Sequence, residues 1–294
     1  FVDAIGSAIK DGLARSELRA LNNLGGPLEW EDPSRSINLA RAGLELGQRL
    51  GHRDAVLNAL SSIAYGSFIT GDWASADAAI GEVGDEEPPP TVEVQLLWGR
   101  WLLAAARSET SEAARIEGRL EELFTRVSQP QFQSGQLLTG SVVEYYAGRF
   151  GEAYRWAMAG ASSAANRHAH NLAGRAALRL GDLGAARAAL REAEASPERG
   201  RVPGAIAADL RAGVLALEGR ADEAVGAYVD VMRQLRDLGL AVDLAICQLE
   251  FAALVGIDRP EARLAAEEAR ATLTRWGARA LLAQLDALEV AAPA

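Results

Sequence analysis

The stretch Gly181-Asp182-Leu183-Gly184-Ala185-Ala186 has the composition of a tight turn between two alanine-rich helices. Its pattern is a glycine, a polar residue, a mostly bulky residue, two variable positions and an alanine. The same pattern recurs in Gly71-Asp72-Trp73-Ala74-Ser75-Ala76, Gly148-Arg149-Phe150-Gly151-Glu152-Ala153 and Gly219-Arg220-Ala221-Asp222-Glu223-Ala224. A turn that recurs along one chain predicts an array of helical hairpins.

Each position of this six-residue turn motif has a physical role. Glycine tolerates the positive φ that often follows the end of a helix. An aspartate at the second position, as in Asp72 and Asp182, can cap the next helix. We expect the bulky third residue to pack beneath the turn and the final alanine to let the two helices approach closely.

The composition describes a soluble, folded protein. Charged residues make up 24% of the 294 residues and hydrophobic residues 49%. The net charge of -10 argues against a direct nucleic-acid partner, which would need a basic face. No run approaches the roughly 18 apolar residues of a membrane span, so we expect no membrane association.

Three other features bear on the origin of the chain. Cys247 is the only cysteine, so neither an intrachain disulfide nor a thiolate metal cluster can form, and a cytoplasmic location is expected. Lys10 is the only lysine; abundant Arg, Ala and Gly indicate a GC-rich bacterial genome. The start at Phe1 has neither an initiator methionine nor a signal pattern, which suggests a fragment of a longer protein.

Apolar residues at helical spacing predict seven successive helical pairs and a last, capping helix over 278–290. The clearest break is Pro88-Pro89-Pro90, where no helix can continue. A domain boundary there is the alternative, but the same pattern resumes directly, which favours a kink or a longer loop at 84–91 within one domain spanning 1–294. The third joint, Ser108-Glu109-Thr110-Ser111, lacks the glycine, and there we expect Ser or Thr to cap the second helix.

The spacing between turns identifies the class of repeat. Gly71 and Gly148 are 77 residues apart across two units, and the later turns follow at intervals of 33, 38 and 37. Two helices per period in the thirties are typical of tetratricopeptide (TPR) repeats. The sequence therefore predicts an all-α, TPR-like α-α superhelix, a solenoid of about seven helical hairpins with a C-terminal capping helix.

The amino-acid sequences of three segments resemble the degenerate repeats of large bacterial signalling proteins. These segments are Ala20-Leu21-Asn22-Asn23-Leu24-Gly25, 44–53 (LELGQRLGHR) and 267–279 (EEARATLTRWGAR). The proteins concerned are multidomain regulators in which an ATPase domain precedes a TPR-like region. They include LuxR-type and antibiotic-regulatory transcription factors and ATPase-bearing adenylate or guanylate cyclases.

This resemblance implies a repeat region that senses a signal, binds partners or mediates assembly. The chain has no Gly-x-x-x-x-Gly-Lys-Ser/Thr sequence, because its one lysine lies in Ile9-Lys10-Asp11, and no recognisable helix-turn-helix follows Trp276. Any cyclase or DNA-binding activity would therefore belong to neighbouring domains of the same chain.

No candidate for catalysis or metal binding stands out. His168 and His170 are two apart on a predicted helix, about 200° around it, so they cannot share a metal. His52 lies in a turn, and Cys247 lies in an apolar run without a nearby histidine, which indicates a buried small side chain. We expect no catalytic residue, metal or cofactor, and we expect Trp30, Trp98 and Trp101 to serve in packing.

The concave groove is the better candidate for a binding site, because in TPR hairpins the first helices line it. Positions one turn either side of the small residue of each first helix would face inward. Amide, arginine and aromatic side chains there suit a peptide backbone or a carboxylate. The residues so predicted are Arg19, Asn22, Asn23, Asn58, Tyr65, Phe68, Arg100, Tyr145, His168, Asn171 and Arg175.

Three functions follow from this reading. The first is a non-catalytic interaction or sensor module of a multidomain regulator, with a peptide, a partner protein, a neighbouring domain or a small effector in the groove. The second is a stand-alone TPR adaptor protein. The third is an enzyme with its site in the groove. For any single groove residue, a role in packing is an open alternative.

Overall fold

A computed structural model of the protein describes residues 13–84, 87–161, 167–197 and 199–291, without the side chains of Asn22, Pro27 and Ala291. Within these ranges the chain forms helices and no strands, which confirms the all-α prediction. The helices are α1 (Ala14–Glu29), α2 (Pro33–Leu50), α3 (Arg53–Ile69), α4 (Trp73–Gly81), α5 (Pro90–Ala106), α6 (Thr110–Phe124), α7 (Pro130–Tyr146), α8 (Phe150–Ala161), α9 (Arg167–Arg179), α10 (Leu183–Ala195), α11 (Arg201–Leu217), α12 (Ala221–Asp237), α13 (Ala241–Val255), α14 (Pro260–Trp276) and α15 (Arg279–Ala291).

The helices pack in two layers. Each odd-numbered helix contacts the even-numbered helix that follows it and also the next odd-numbered helix along the chain, so that α1, α3, α5, α7, α9, α11, α13 and α15 form one continuous inner layer. The even-numbered helices lie outside this layer. This arrangement is a helical repeat solenoid, as the recurring turns predict.

The turn motif folds as its residue types predict. Gly71, Gly148, Gly181 and Gly219 all have positive φ, between 71° and 82°. The Asp182 carboxylate accepts a 2.9 Å hydrogen bond from the backbone N–H of Ala185 and so caps the following helix. Asp72 accepts one from Ser75 in the same way. The closing alanines are fully buried at the joints: Ala76, Ala153, Ala186 and Ala224.

The third joint differs from the prediction. The residue that precedes α6 is Glu109, and no side chain caps this helix. Ser108 instead takes the left-handed conformation, with φ 59°, that glycine has in the four turn motifs. The expectation of a Ser or Thr cap was therefore wrong: Ser108 occupies the place of the missing glycine.

The array continues across the proline-rich segment. Helix α4 ends at Gly81 and α5 begins at Pro90, and α3 packs against α5 across this break. Pro90 suits the first turn of a helix, where its missing N–H has no partner to lose. Among the helices in the described ranges, none is both long and apolar enough to cross a lipid bilayer.

The superhelix is tight enough for early and late hairpins to touch. The Trp73 and Trp276 rings stack with centroids 5.0 Å apart, which joins the second hairpin to the seventh. Helix α13 contacts α3, and α15 contacts α5. The side-chain amide of Gln284 in α15 donates 2.9 Å hydrogen bonds to the carbonyls of Tyr145 and Tyr146 at the end of α7.

A further contact of this kind joins the first hairpin to the sixth. The N–H of Val202 donates a 3.0 Å hydrogen bond to the carbonyl of Trp30, and the N–H of Arg201 donates one to the Glu31 carboxylate. Gly200 makes this approach possible, because a Cβ there would lie 2.7 Å from the Trp30 carbonyl oxygen. We call the contact between 30–31 and 200–202 the closure contact.

Candidate functional site: the inner cavity

The inner layer borders a cavity of about 480 Å³. Its walls come from α1, α2, α3, α5, α7 and α9, so the first helices of five successive hairpins contribute. The volume lies within the range of about 300–1,000 Å³ typical of small-molecule sites. We call this space the inner cavity.

Small residues leave room for aromatic rings in its wall. Trp98 lies against Gly135, where a Cβ would come 2.3 Å from the indole ring. The Trp98 indole N–H donates a 2.9 Å hydrogen bond to Gln136, which holds the ring in place. Tyr65 and Trp30 also line the cavity. The wall is therefore aromatic and largely apolar.

Glu29 is the exception in this wall. It lies at the end of α1, half-buried, and is the only Asp, Glu, Lys or Arg among the lining residues that the structure describes. Within the part of the chain that the structure describes, its carboxylate has no hydrogen bond or ion pair. Desolvation by burial raises its pKa from 4.5 to about 7.

His168 also lines the inner cavity and lies edge-on to Trp30, with ring centroids 6.1 Å apart. Burial lowers the pKa of His168 and so favours the neutral imidazole, although the Asp243 carboxylate acts in the opposite direction. Among the described lining residues the inner cavity therefore has one carboxyl group, that of Glu29, and no lysine or arginine.

A smaller cavity of about 80 Å³ lies deeper in the superhelix. It shares lining residues with the inner cavity, among them Tyr65, Leu102 and His168, so the two spaces adjoin. Its remaining walls come from α3, α7, α9, α11 and α13. We call it the deep cavity.

A buried charge cluster lies beside the deep cavity. The Arg175 guanidinium contacts Asp209 at 2.6 Å and Asp243 at 2.9 Å, and its Nε lies 3.8 Å from Glu250. Arg175, Asp209 and Glu250 are each at least nine-tenths buried. One arginine therefore faces three carboxyl groups from α11 and α13, so this cluster has no surplus of positive charge.

Protonation of Glu250 reduces this imbalance. Burial raises the pKa of Glu250 to about 7, and the Arg175 charge opposes the rise. The Tyr145 hydroxyl donates a 2.6 Å hydrogen bond to the same carboxyl group. Burial, followed by the Glu250 charge, raises the pKa of Tyr145 well above 10, so this phenol keeps its proton.

Six of the residues predicted for the groove line the deep cavity. Two of the six, Tyr65 and His168, line the inner cavity as well. Asn171 is buried, and its side-chain oxygen has no hydrogen-bond partner within the described residues. The six come from α3, α7 and α9, as expected of first helices: Tyr65, Phe68, Tyr145, His168, Asn171 and Arg175.

The other predicted residues lie elsewhere. Arg19 and Asn23 are exposed and line neither cavity. Asn58 is half-buried, and its amide donates to the carbonyl of Asp54 within α3. Arg100 is exposed and pairs with Glu112 of α6 at 2.7 Å, because its neighbour Gly99 faces Ala64 and successive helical residues are 100° apart.

The side chain of Asn22, also predicted for the groove, lies outside the described residues.

Sequence reasoning missed the acids of the interior. Glu29 comes directly before the turn Trp30-Glu31-Asp32-Pro33, where a charged residue is typically solvated. Asp209 and Glu250 were detectable in principle, because each is a single acid within an apolar stretch of a helix. Trp98, expected to serve only in packing, also forms part of the cavity wall.

Cys247 is fully buried, as predicted, and burial raises the pKa of its thiol well above 9. In the described ranges, no group of three His, Cys, Asp or Glu side chains is placed to hold a metal ion. No protein-family model matches this chain, and no curated protein matches it either.

Proposed function

We propose that this chain is a non-catalytic sensor module that binds a small organic effector in its inner cavity. The observation that carries the proposal is the position of the cavity. It lies between the early hairpins of a superhelix whose early and late hairpins touch. Because its repeats resemble those of large bacterial signalling proteins, we further propose that the parent protein is a cytoplasmic bacterial regulator. In it, this TPR-like region would accompany catalytic or DNA-binding domains.

The contacts across the superhelix favour a small effector over an extended peptide. Helix α13 packs against α3 and α9, and it occupies the inner side on which an open groove would hold a peptide. Arg175, which could receive a peptide carboxylate in an open groove, is buried against Asp209 and Asp243. A cavity lined by aromatic and small side chains instead suits a compact, largely apolar molecule.

The cavity wall and the closure contact share one residue, Trp30, which supports a sensor role. Trp30 lines the inner cavity with its neighbour Glu29, and its carbonyl accepts the hydrogen bond from Val202. An effector that binds the closed superhelix more tightly than an opened one would shift the population toward closure. Neighbouring domains would read this change through the orientation of the two ends.

The test uses N-phenyl-1-naphthylamine, a neutral apolar fluorophore, together with amide hydrogen exchange. We expect one molecule to bind per chain, with enhanced emission, and exchange of the Val202 N–H to slow when the probe is bound. Thr139 lines the inner cavity, so Thr139→Trp should abolish binding, whereas Thr139→Val, which keeps the volume, should preserve it.

Two results would overturn this proposal. If Thr139→Trp did not change binding of the probe, the probe would lie outside the inner cavity. Binding without any change at Val202, relative to the amide of Val231 in the outer helix α12, would remove the coupling between cavity and closure.

A further inference from the structure

The charge distribution of the two cavities discriminates between classes of ligand. Glu29 is the only formally charged side chain among the inner-cavity residues, and it has no ion-pair partner within the described ranges. In the deep cavity the one arginine, Arg175, is already engaged by Asp209 and Asp243. Among the described lining residues, therefore, neither a lysine nor an unengaged arginine is available to a carboxylate or phosphate ligand.

A carboxylate in an apolar wall is costly unless a counter-charge reaches it. Burial raises the pKa of Glu29 to about 7, so its carboxyl group is partly protonated at neutral pH. Its charge also contributes, after burial, to the raised pKa of Tyr65, which lines the same cavity. A bound cation would satisfy the ionised form.

The aromatic rings of the wall suit the same class of ligand. Trp98 and Tyr65 both line the inner cavity, and indole is the ring that attracts cations most strongly. The hydrogen bond to Gln136 and the contact with Gly135 hold the Trp98 ring before any ligand arrives. A pre-positioned ring and a carboxylate facing one apolar space are the elements of a site for alkylammonium groups.

We propose that the inner cavity binds an organic monocation with an apolar body, an amine or quaternary ammonium compound, whose charge is recognised by Glu29 and the aromatic wall. This inference rests on the effector-binding function proposed above and names the class of effector.

The test compares three compounds that differ in charge: 2-phenylethyl-trimethylammonium, its neutral carbon isostere (3,3-dimethylbutyl)benzene, and the anion 4-phenylbutanoate. Each competes with N-phenyl-1-naphthylamine at pH 8.5, where Glu29 is ionised. We expect Glu29→Gln to weaken binding of the quaternary ammonium at least tenfold and to change binding of the neutral isostere less than twofold. Glu45→Gln, an exposed site on α2, is the matched control and should change neither.

The quaternary ammonium keeps its charge at every pH, so a pH series reports on the protein. Within the described part of the chain, the other titratable side chains that line the inner cavity are Tyr65 and His168. We expect the affinity for the ammonium to rise between pH 6 and pH 8 in the wild type and to be flat in Glu29→Gln.

The outcomes separate this inference from the proposed function. If the fluorophore binds but the ammonium fails to displace it, or if Glu29→Gln affects the ammonium and the isostere equally, the cation inference is overturned and the cavity proposal stands. Displacement by 4-phenylbutanoate in preference to the ammonium would overturn it as well. If the fluorophore itself does not bind the wild type, the proposed function fails first.

Discussion

The indole rings of Trp73 and Trp276 stack 5.0 Å apart at an interplanar angle of 22°, although 203 residues separate them in the sequence. Trp73 is the bulky residue of one turn motif, and it also stacks on Phe68 and donates a hydrogen bond to the Phe68 carbonyl. One side chain thus holds its own hairpin together and contacts the last hairpin. The motif that builds the repeats also supplies a contact that closes the superhelix.

Replacement of the turn glycines should separate the local role of the motif from its long-range role. Gly71 and Gly148 both have positive φ, but a Cβ at Gly71 would come 2.4 Å from Trp276, whereas one at Gly148 would meet nothing within 4 Å. We expect Gly148→Ala to lower the free energy of unfolding by about 1–2 kcal/mol. Gly71→Ala should cost about 1–3 kcal/mol more, because Trp276 must move.

Urea denaturation of both variants measures this difference. The double variant Gly71→Ala/Trp276→Leu should lose less stability than the sum of its two single variants, because the smaller side chain makes room for the methyl group. Equal losses at Gly71 and Gly148 would show that the contact with Trp276 contributes nothing.

The joint with Ser108 is expected to gain from glycine. Ser108 has φ 59°, which costs a residue with a Cβ about 1 kcal/mol or more relative to glycine. We expect Ser108→Gly to raise the free energy of unfolding by about 0.5–1 kcal/mol. Ser111→Gly, three residues on but within α6, should lower it by about 0.5 kcal/mol. Thermal denaturation of the pair checks the sign, and a loss at Ser108 would contradict the prediction.

The buried charge cluster should be sensitive to the loss of its cation. Arg175→Met leaves Asp209, Asp243 and Glu250 without their common counter-charge, and we expect it to lower the free energy of unfolding by about 3–5 kcal/mol. Arg187 forms an exposed pair with Glu218, so Arg187→Met should cost less than about 1 kcal/mol. Chemical denaturation at pH 7 compares them, and similar losses in both variants would count against the cluster.

Stability should also depend on pH through Glu29. Its folded pKa of about 7 exceeds the ordinary value of 4.5, so between these values the folded state binds more protons than the unfolded state. The contribution of Glu29 to the free energy of unfolding is therefore fully present below pH 4.5 and is lost as the pH rises through 7. In Glu29→Gln this loss should be absent.

We expect the variant to gain on the order of 1–3 kcal/mol over the wild type between pH 5 and pH 8. The difference between the two proteins isolates Glu29 from Glu250, whose pKa is also raised to about 7, and from His168, whose lowered pKa acts in the opposite direction. A difference that is constant with pH would contradict the raised pKa.

The sequence by itself determined the local architecture. The glycine at each turn, the capping aspartates and the closing alanines act through backbone conformation and through contacts between adjacent helices, so a short stretch contains the whole cause. The sequence also predicted that the first helix of each hairpin faces inward. Tyr145, Asn171 and Arg175 lie on such helices and line the deep cavity. Arg100 was predicted to face the groove but is exposed. An error of one residue in the predicted inward position turns a helical side chain by 100°.

Only the tertiary structure decided which residues meet in the interior of the superhelix. The pitch of the superhelix is the sum of small rotations between successive hairpins, and no short stretch of sequence specifies that sum. This pitch brings Trp276 onto Trp73 and Gly200 onto Trp30, and it buries Asp209 and Glu250 beside Arg175. The same sum leaves Glu29 facing an apolar cavity. The turn motifs thus determine that the chain forms a solenoid, and the accumulated rotation determines its interior.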